Sequence, residues 1–299
     1  MDIRTGSCLM LLAWLWTAWS AGRTREVVHG TTLVTVTPWA AAAIGLWVLF
    51  SALGISHPHA AWRTHLAYFA CVVSLTPAIG VLGARRPTCR AWPAFVLLPM
   101  VVVLAWPLAS LGWSALVLRT LELETPQVVI FALVTVMGFG NYVGTRLTGS
   151  ACLAAAALVL IPLGHSRLQG WTDDQKLMTE TASVIGLAMA SLRALRILRQ
   201  RSSARSRFDR VWEDFVVRFG MVWSRRLLDR LQVLARKESW TCEVTPLGFV
   251  WPDQSDAATE AAVEHALRWL LRRFVDPAWL DERLGATNSA VAESMTIDL

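Results

Sequence analysis

The sequence predicts an all-α protein: a polytopic transmembrane helix bundle of about seven spans, followed by a small cytoplasmic α-rich C-terminal domain. Three observations carry that expectation. Of 299 residues, 55% are hydrophobic and 17% charged, and the mean hydropathy is +0.45, a balance that places the chain among integral membrane proteins. Long apolar runs fill the first two thirds of the chain and end near Arg193. Beyond that point apolar residues recur mostly at three- and four-residue steps, the period of an amphipathic helix. The expected organisation is a bundle over 1–198, a cytoplasmic helical domain with a basic juxtamembrane collar over 199–285, and a disordered tail over 286–299.

Seven stretches, free of charge except for Glu180, read as spans: Ser7–Ala21, Thr31–Leu53, Leu66–Gly83, Trp92–Val117, Gln127–Gly144, Ser150–Gly164 and Leu177–Leu192. A bilayer core requires roughly 20 apolar residues per helix, so the first and sixth are short, and the last can lengthen toward Leu198 if Arg193 and Arg196 snorkel. Trp62, Trp92 and Trp171 stand where span entrances fall, the depth at which an indole keeps its ring in lipid and its N–H wet. Pro38, Pro77, Pro93, Pro99, Pro107 and Pro162 lie inside apolar runs and predict kinks.

Basic residues set the orientation. With alternating sides, Arg23, Arg25, Arg85, Arg86, Arg90, Arg146 and the seven arginines between Arg193 and Arg210 share one face, thirteen in all, against five on the other: Arg4, Arg63, Arg119, Arg167 and Lys176. The basic face is cytoplasmic by the positive-inside rule, so the N-terminus is outside, the C-terminus cytoplasmic, and a bacterial inner (plasma) membrane is the expected location. A cleaved signal peptide over Met1–Ser20 would reverse the tail, and the charge count opposes it. The excess charge behind the net +6 lies in the collar, so Arg196, Arg199, Arg201, Arg205 and Arg207 are candidate contacts to anionic head groups, and nucleic acid is not an expected partner.

In the tail, Phe208, Val211, Trp212, Phe215, Phe219, Trp223, Leu227 and Leu231 mark one helix face, with Glu213, Asp214 and Arg218 on solvated faces. Nothing between Leu187 and Phe219 breaks a helix except Ser202-Ser203, so the last span could run straight into it. A hairpin is expected around Pro246-Leu247-Gly248, a helix from about Asp256 to Val275 capped by Ser255 or Asp256, and a short helix opening at Asp276-Pro277 and ending at Gly285. The long aromatic face exceeds what so small a domain easily hides, which predicts a membrane anchor whose tail binds a protein partner or itself.

Motifs carrying chemistry are few. His57, His59 and His65 share one outer connection, and imidazoles there are candidate ligands for zinc, copper or iron; ordinary interfacial histidines are the plainer account. Asn141, beside the Gly140/Gly144 pair, and Glu180, about a turn inside the last span, are the candidate intramembrane polar site; helix packing is the plainer account of Asn141, and offsetting the helix N-terminal dipole that of Glu180, with proton coupling or substrate contact as its alternative. Five scattered cysteines form no disulfide framework, and no P-loop, H-E-x-x-H, G-x-S-x-G or legible Ser/His/Asp grouping occurs, so no cofactor is expected and the commonest soluble enzyme classes are disfavoured. A small permease or membrane-embedded enzyme built on scattered polar residues is the alternative to the anchor.

Overall fold

The computed structural model describes residues 3–57, 60–86, 88–109, 119–167, 170–200, 206–252 and 256–285. The protein is mostly helical and divides into two compact units, the first made of residues up to His29 and Leu33–Gln200, the second of Gly30–Thr32 and the chain after Gln200.

In the first unit the helices are α1 (Ile3–Val28), α2 (Thr37–Ser56), α3 (Trp62–Leu82), α4 (Thr88–Trp92), α5 (Leu98–Leu104), α6 (Trp106–Ala109), α7 (Thr125–Gly140), α8 (Thr148–Gly164) and α9 (Asp173–Arg199). Six of them close a ring, α1 on α2, α2 on α3, α3 on α7, α7 on α8, α8 on α9 and α9 back on α1. Trp47, Phe50, Tyr68, Leu75 and Phe131 fill its centre. Two polar tips inside that core find partners: Trp47 Nε1 donates to Ser74 Oγ at 2.9 Å and the Tyr68 hydroxyl to the Leu104 carbonyl at 2.7 Å. Outside, large apolar side chains face away from the core, among them Leu12, Phe95, Val103, Leu133 and Val136, as a lipid-facing surface would require.

Three helices are long and apolar enough to cross a membrane, Thr32–Ser56, Trp62–Leu82 and Asp174–Arg199, while Thr88–Leu104, Thr125–Gly140 and Thr148–Gly164 are apolar but shorter. Several predicted boundaries move for local reasons. The expected span Trp92–Val117 becomes α4, a π-turn over Pro93–Leu97 and α5, then α6, because prolines 93, 99 and 107 remove helix donors; residues 110–118 lie outside the described ones. Pro38 kinks nothing, since it occupies the first turn of α2. The predicted span ending at Gly144 stops at Gly140, and Gly144 takes φ +90° in the following turn. Gly140 and Gly144 therefore do not form the expected packing stripe; in this helix it is Gly138 that meets a neighbour, a Cβ there falling 3.1 Å from Ala78 Cβ.

In the second unit, α10 (Arg207–Lys237) starts on a Ser206 cap, whose hydroxyl accepts from the Asp209 N–H at 3.0 Å. The uninterrupted helix that the sequence allows does not form: α9 ends at Arg199, and Gln200 turns extended with ψ 128°. Inside α10, Gly220 adopts φ 76° and ψ −176° and joins two helical halves across a kink. Strands β1 (Glu243–Thr245) and β2 (Gly248–Val250) pair antiparallel, Val244 opposite Phe249. Asp209 pins that hairpin by accepting from the Phe249 N–H at 2.7 Å, and Trp212 Nε1 donates to the Pro246 carbonyl at 3.0 Å. Helix α11 (Ala257–Leu271) is capped by Asp256, and α12 (Pro277–Leu284) ends at Gly285 with φ +95°.

The apolar face of α10 is covered within the unit. Phe215 and Phe219 stack at 4.6 Å, and Phe274 meets Phe215, Phe219 and Trp223 edge-on at 5.0–5.3 Å. Arg218, expected on a solvated face, is buried and sits with Arg283 on Asp214, because α12 lays Trp279 over that side of α10. Burial lowers the Arg218 pKa, and the Asp214 carboxylate opposes that shift. Gly30–Thr32 adds a last strand-like contact: Thr32 N–H donates to the Phe274 carbonyl at 2.8 Å and Asp276 N–H to the Gly30 carbonyl at 2.7 Å.

Candidate functional site

At one end of the first unit the α2–α3 connection, the segment before α7 and the α8–α9 connection are stitched together. Leu121 N–H donates to Thr64 Oγ1 at 2.9 Å, Leu123 N–H to the His165 carbonyl at 2.9 Å, and Arg167 N–H to the Leu123 carbonyl at 3.2 Å. Beneath this lattice lies a cavity of about 510 Å³, lined among others by Arg63, Thr64, Glu122, His165, Lys176 and Glu180.

Each charged wall residue has a local cause. Glu180 falls in the second turn of α9, whose start is fixed by a capping box in which Thr172 accepts from the Gln175 N–H. Its carboxylate reaches two partners from other segments, Arg63 Nη2 at 3.6 Å and His165 Nε2 at 3.7 Å. All three side chains are nearly inaccessible, between 6% and 11% exposed. Arg63 lies in the first turn of α3 with its guanidinium over the Phe50 ring at 5.0 Å. Gly54 makes room for it, since a Cβ there would stand 3.1 Å from Arg63 Nη2 and collide with Ser7 Oγ. At the rim Arg167 and Glu122 pair at 3.0 Å while largely exposed.

The lining thus holds Arg63, Arg167 and Lys176 against Glu122 and Glu180, with the His165 imidazole beside them. Such a lining can bind a small polar or anionic solute by charge-assisted hydrogen bonds.

Of the predicted site residues, Glu180 is in this pocket and Asn141 is not. Asn141 is buried at the other end of α8 from His165, roughly 25 Å away along a helix of 17 residues. His65 is buried on α3 with Nδ1 3.4 Å from the Ala61 carbonyl, whereas His57 is exposed beside Ser56 and Trp62; His59 lies outside the described residues. Among the described residues no group of three or more His, Cys, Asp or Glu side chains is arranged to hold a metal ion. In the collar, Arg196 is exposed on α9, Arg199 donates to Thr24 Oγ1 at 2.9 Å and to the Ser20 carbonyl, and Arg207 pairs with Glu264 at 3.2 Å and Glu260 at 3.6 Å; Arg201 and Arg205 lie outside the described residues, as does 286–299. Arg63 and His165 are the residues that sequence reasoning did not single out as partners of Glu180. The usable signal was that both fall on the same predicted face as the start of the Glu180 span. Comparison with protein-family models, curated proteins and solved structures finds no match to this chain.

Proposed function

We propose that this chain is a polytopic membrane protein of about seven segments that captures a small polar solute in the pocket built on Glu180, Arg63 and His165, in the manner of a small permease. The observation that carries the proposal is the convergence of Arg63 from α3, Glu180 from α9 and His165 from the α8–α9 connection in an open cavity. In the proposed topology the N-terminus and the pocket face outward and the C-terminal unit is cytoplasmic. The backbone pairing of Thr32 with Phe274 supports a common side for the α1–α2 connection and the C-terminal unit, in line with the charge distribution.

The anchor-and-interaction reading has lost its main support, because the aromatic face of α10 is spent inside its own unit. One feature still favours a protein partner for that unit: Leu247 at the hairpin tip is 93% exposed.

The test is a thermal-stability screen of the purified full chain against amino acids, dicarboxylates, sugar phosphates and nucleosides. A solute at about 100 times its Kd stabilises by roughly 2.7 kcal/mol. One class is expected to raise the unfolding temperature, and Glu180→Gln, still folded, is expected to abolish that rise. A panel with no effect, or an equal effect on Glu180→Gln, would count against the pocket.

A further inference from the structure

The arginines of the C-terminal unit differ in their surroundings, and beside the exposed Arg210, Arg225, Arg230 and Arg236 two sets stand out. Arg207, Arg218, Arg268 and Arg283 are neutralised internally by Glu260, Glu264, Asp214 and Asp281. Arg226, Arg272 and Arg273 are exposed, and none has a carboxylate partner among the described residues. They gather on tryptophan rings: Arg272 and Arg273 lie 5.7 and 5.9 Å from the Trp269 ring, and Arg226 lies 5.0 Å from Trp223, which itself touches Phe274 at 5.0 Å. Trp269 is 45% exposed, although an indole of that size in a compact unit is ordinarily covered.

The chain enters its first long apolar segment directly from this unit. Phe274 accepts from the N–H of Thr32, and Thr32 is the first residue of the apolar segment Thr32–Ser56. The strand-like stretch that pairs with Phe274 thus continues, one residue on, into that segment. Unpaired arginines around a half-exposed indole are the composition that suits head-group depth, where the indole sits at the interface and the guanidinium groups meet phosphate and carboxylate.

We propose that Trp269, Arg272, Arg273 and Arg226 form a docking face for anionic lipid head groups, which holds the C-terminal unit against the membrane. This face uses none of the collar arginines from Arg196 to Arg207 and is independent of the solute pocket; it requires only that the segment opening at Thr32 lies in a membrane.

The test places the photoreactive residue p-benzoylphenylalanine at Trp269 of the full chain, reconstituted in vesicles of equimolar phosphatidylcholine and phosphatidylserine. Both leaflets carry both lipids, so the outcome does not depend on sidedness. Irradiation is expected to attach phosphatidylserine in clear preference to phosphatidylcholine. Each arginine is worth roughly five-fold in attraction, so the triple variant Arg226→Gln/Arg272→Gln/Arg273→Gln should lower that preference by at least about ten-fold. Roughly half-molar salt on the unsubstituted arginines should do the same, and it decides the matter if the triple variant misfolds. Adducts in simple proportion to the two lipids, adducts to a second copy of the chain, or no adducts would each overturn the proposal.

Discussion

Substituting Glu180 by Gln removes one charge from a buried set and takes the Glu180 carboxylate away from Arg63. The two side chains are 11% and 6% exposed and stand 3.6 Å apart. At that distance and an effective dielectric constant of about 20, the gross attraction is about 5 kcal/mol. Desolvation of both groups offsets most of it, and 3.6 Å is too long for a directional hydrogen bond. Fully enclosed pairs lose roughly 3–5 kcal/mol when one partner goes. Arg63 is nearly as inaccessible as such pairs, so about 3–5 kcal/mol is expected for Glu180→Gln and a similar loss for Arg63→Gln. Because both substitutions break the same contact, the double variant should cost less than their sum by about 1–3 kcal/mol. Equilibrium unfolding of the full chain in mixed micelles, followed by tryptophan fluorescence for all four proteins, measures the cycle. Losses that add to within roughly 0.5 kcal/mol would refute a direct Glu180–Arg63 interaction.

Gly220→Ala should destabilise by about 1–3 kcal/mol in the same assay, because φ 76° with ψ −176° is a conformation that side-chain-bearing residues scarcely adopt; a neutral substitution would contradict the kink. The Ala258 N–H, with the Thr259 hydroxyl, holds the Asp256 carboxyl below its usual pKa. Its contribution to stability is complete above the ordinary value of about 4 and is lost as pH falls through the lowered folded value. Protection of the Ala258 and Thr259 amides, taken relative to the intrinsic exchange rate at each pH, should fall on acidification in the parent and change less in Asp256→Asn, which keeps a cap without the titrating charge. Burial raises the Cys242 thiol above its usual pKa, so at neutral pH maleimide should label Cys242 only as its unit unfolds; prompt labelling of the folded protein would contradict its burial.

What was legible in the sequence was whatever depends on neighbours along the chain. Asp256 as a cap, proline at the start of α12, Gly285 at its end and the turn at Pro246–Gly248 are local chemistry, and the elements begin and end there. The gap between α9 and α10 was less legible, since Ser202-Ser203 was its only sign and the cap that starts α10 is Ser206. Glu180 stood out as an intramembrane carboxylate, but its partners did not. Arg63 follows Trp62 and read as a loop arginine at a span entrance, whereas α3 begins at Trp62 and carries Arg63 inward over Phe50. Arg218 misled in the opposite direction. It has the spacing of a solvated face, and only the distant helix α12 converts that face into a buried one. In both cases the decisive neighbour is remote in sequence, and periodicity carries no information about it.

The same contrast bears on why the pocket exists. Replacing a buried ion pair with well-packed apolar side chains is often neutral or stabilising, so stability alone does not account for Arg63, His165 and Glu180 at one end of an otherwise apolar ring. A purely structural pair would also be expected to be wrapped tightly, because every water-filled gap weakens the attraction that offsets its desolvation. Here the opposite holds: Gly54 leaves space at Arg63, the connecting segments bridge over the cavity through backbone hydrogen bonds, and about 510 Å³ remains open beside the carboxylate. Charge kept at a cost in stability, next to space kept open, favours a solute as the missing partner.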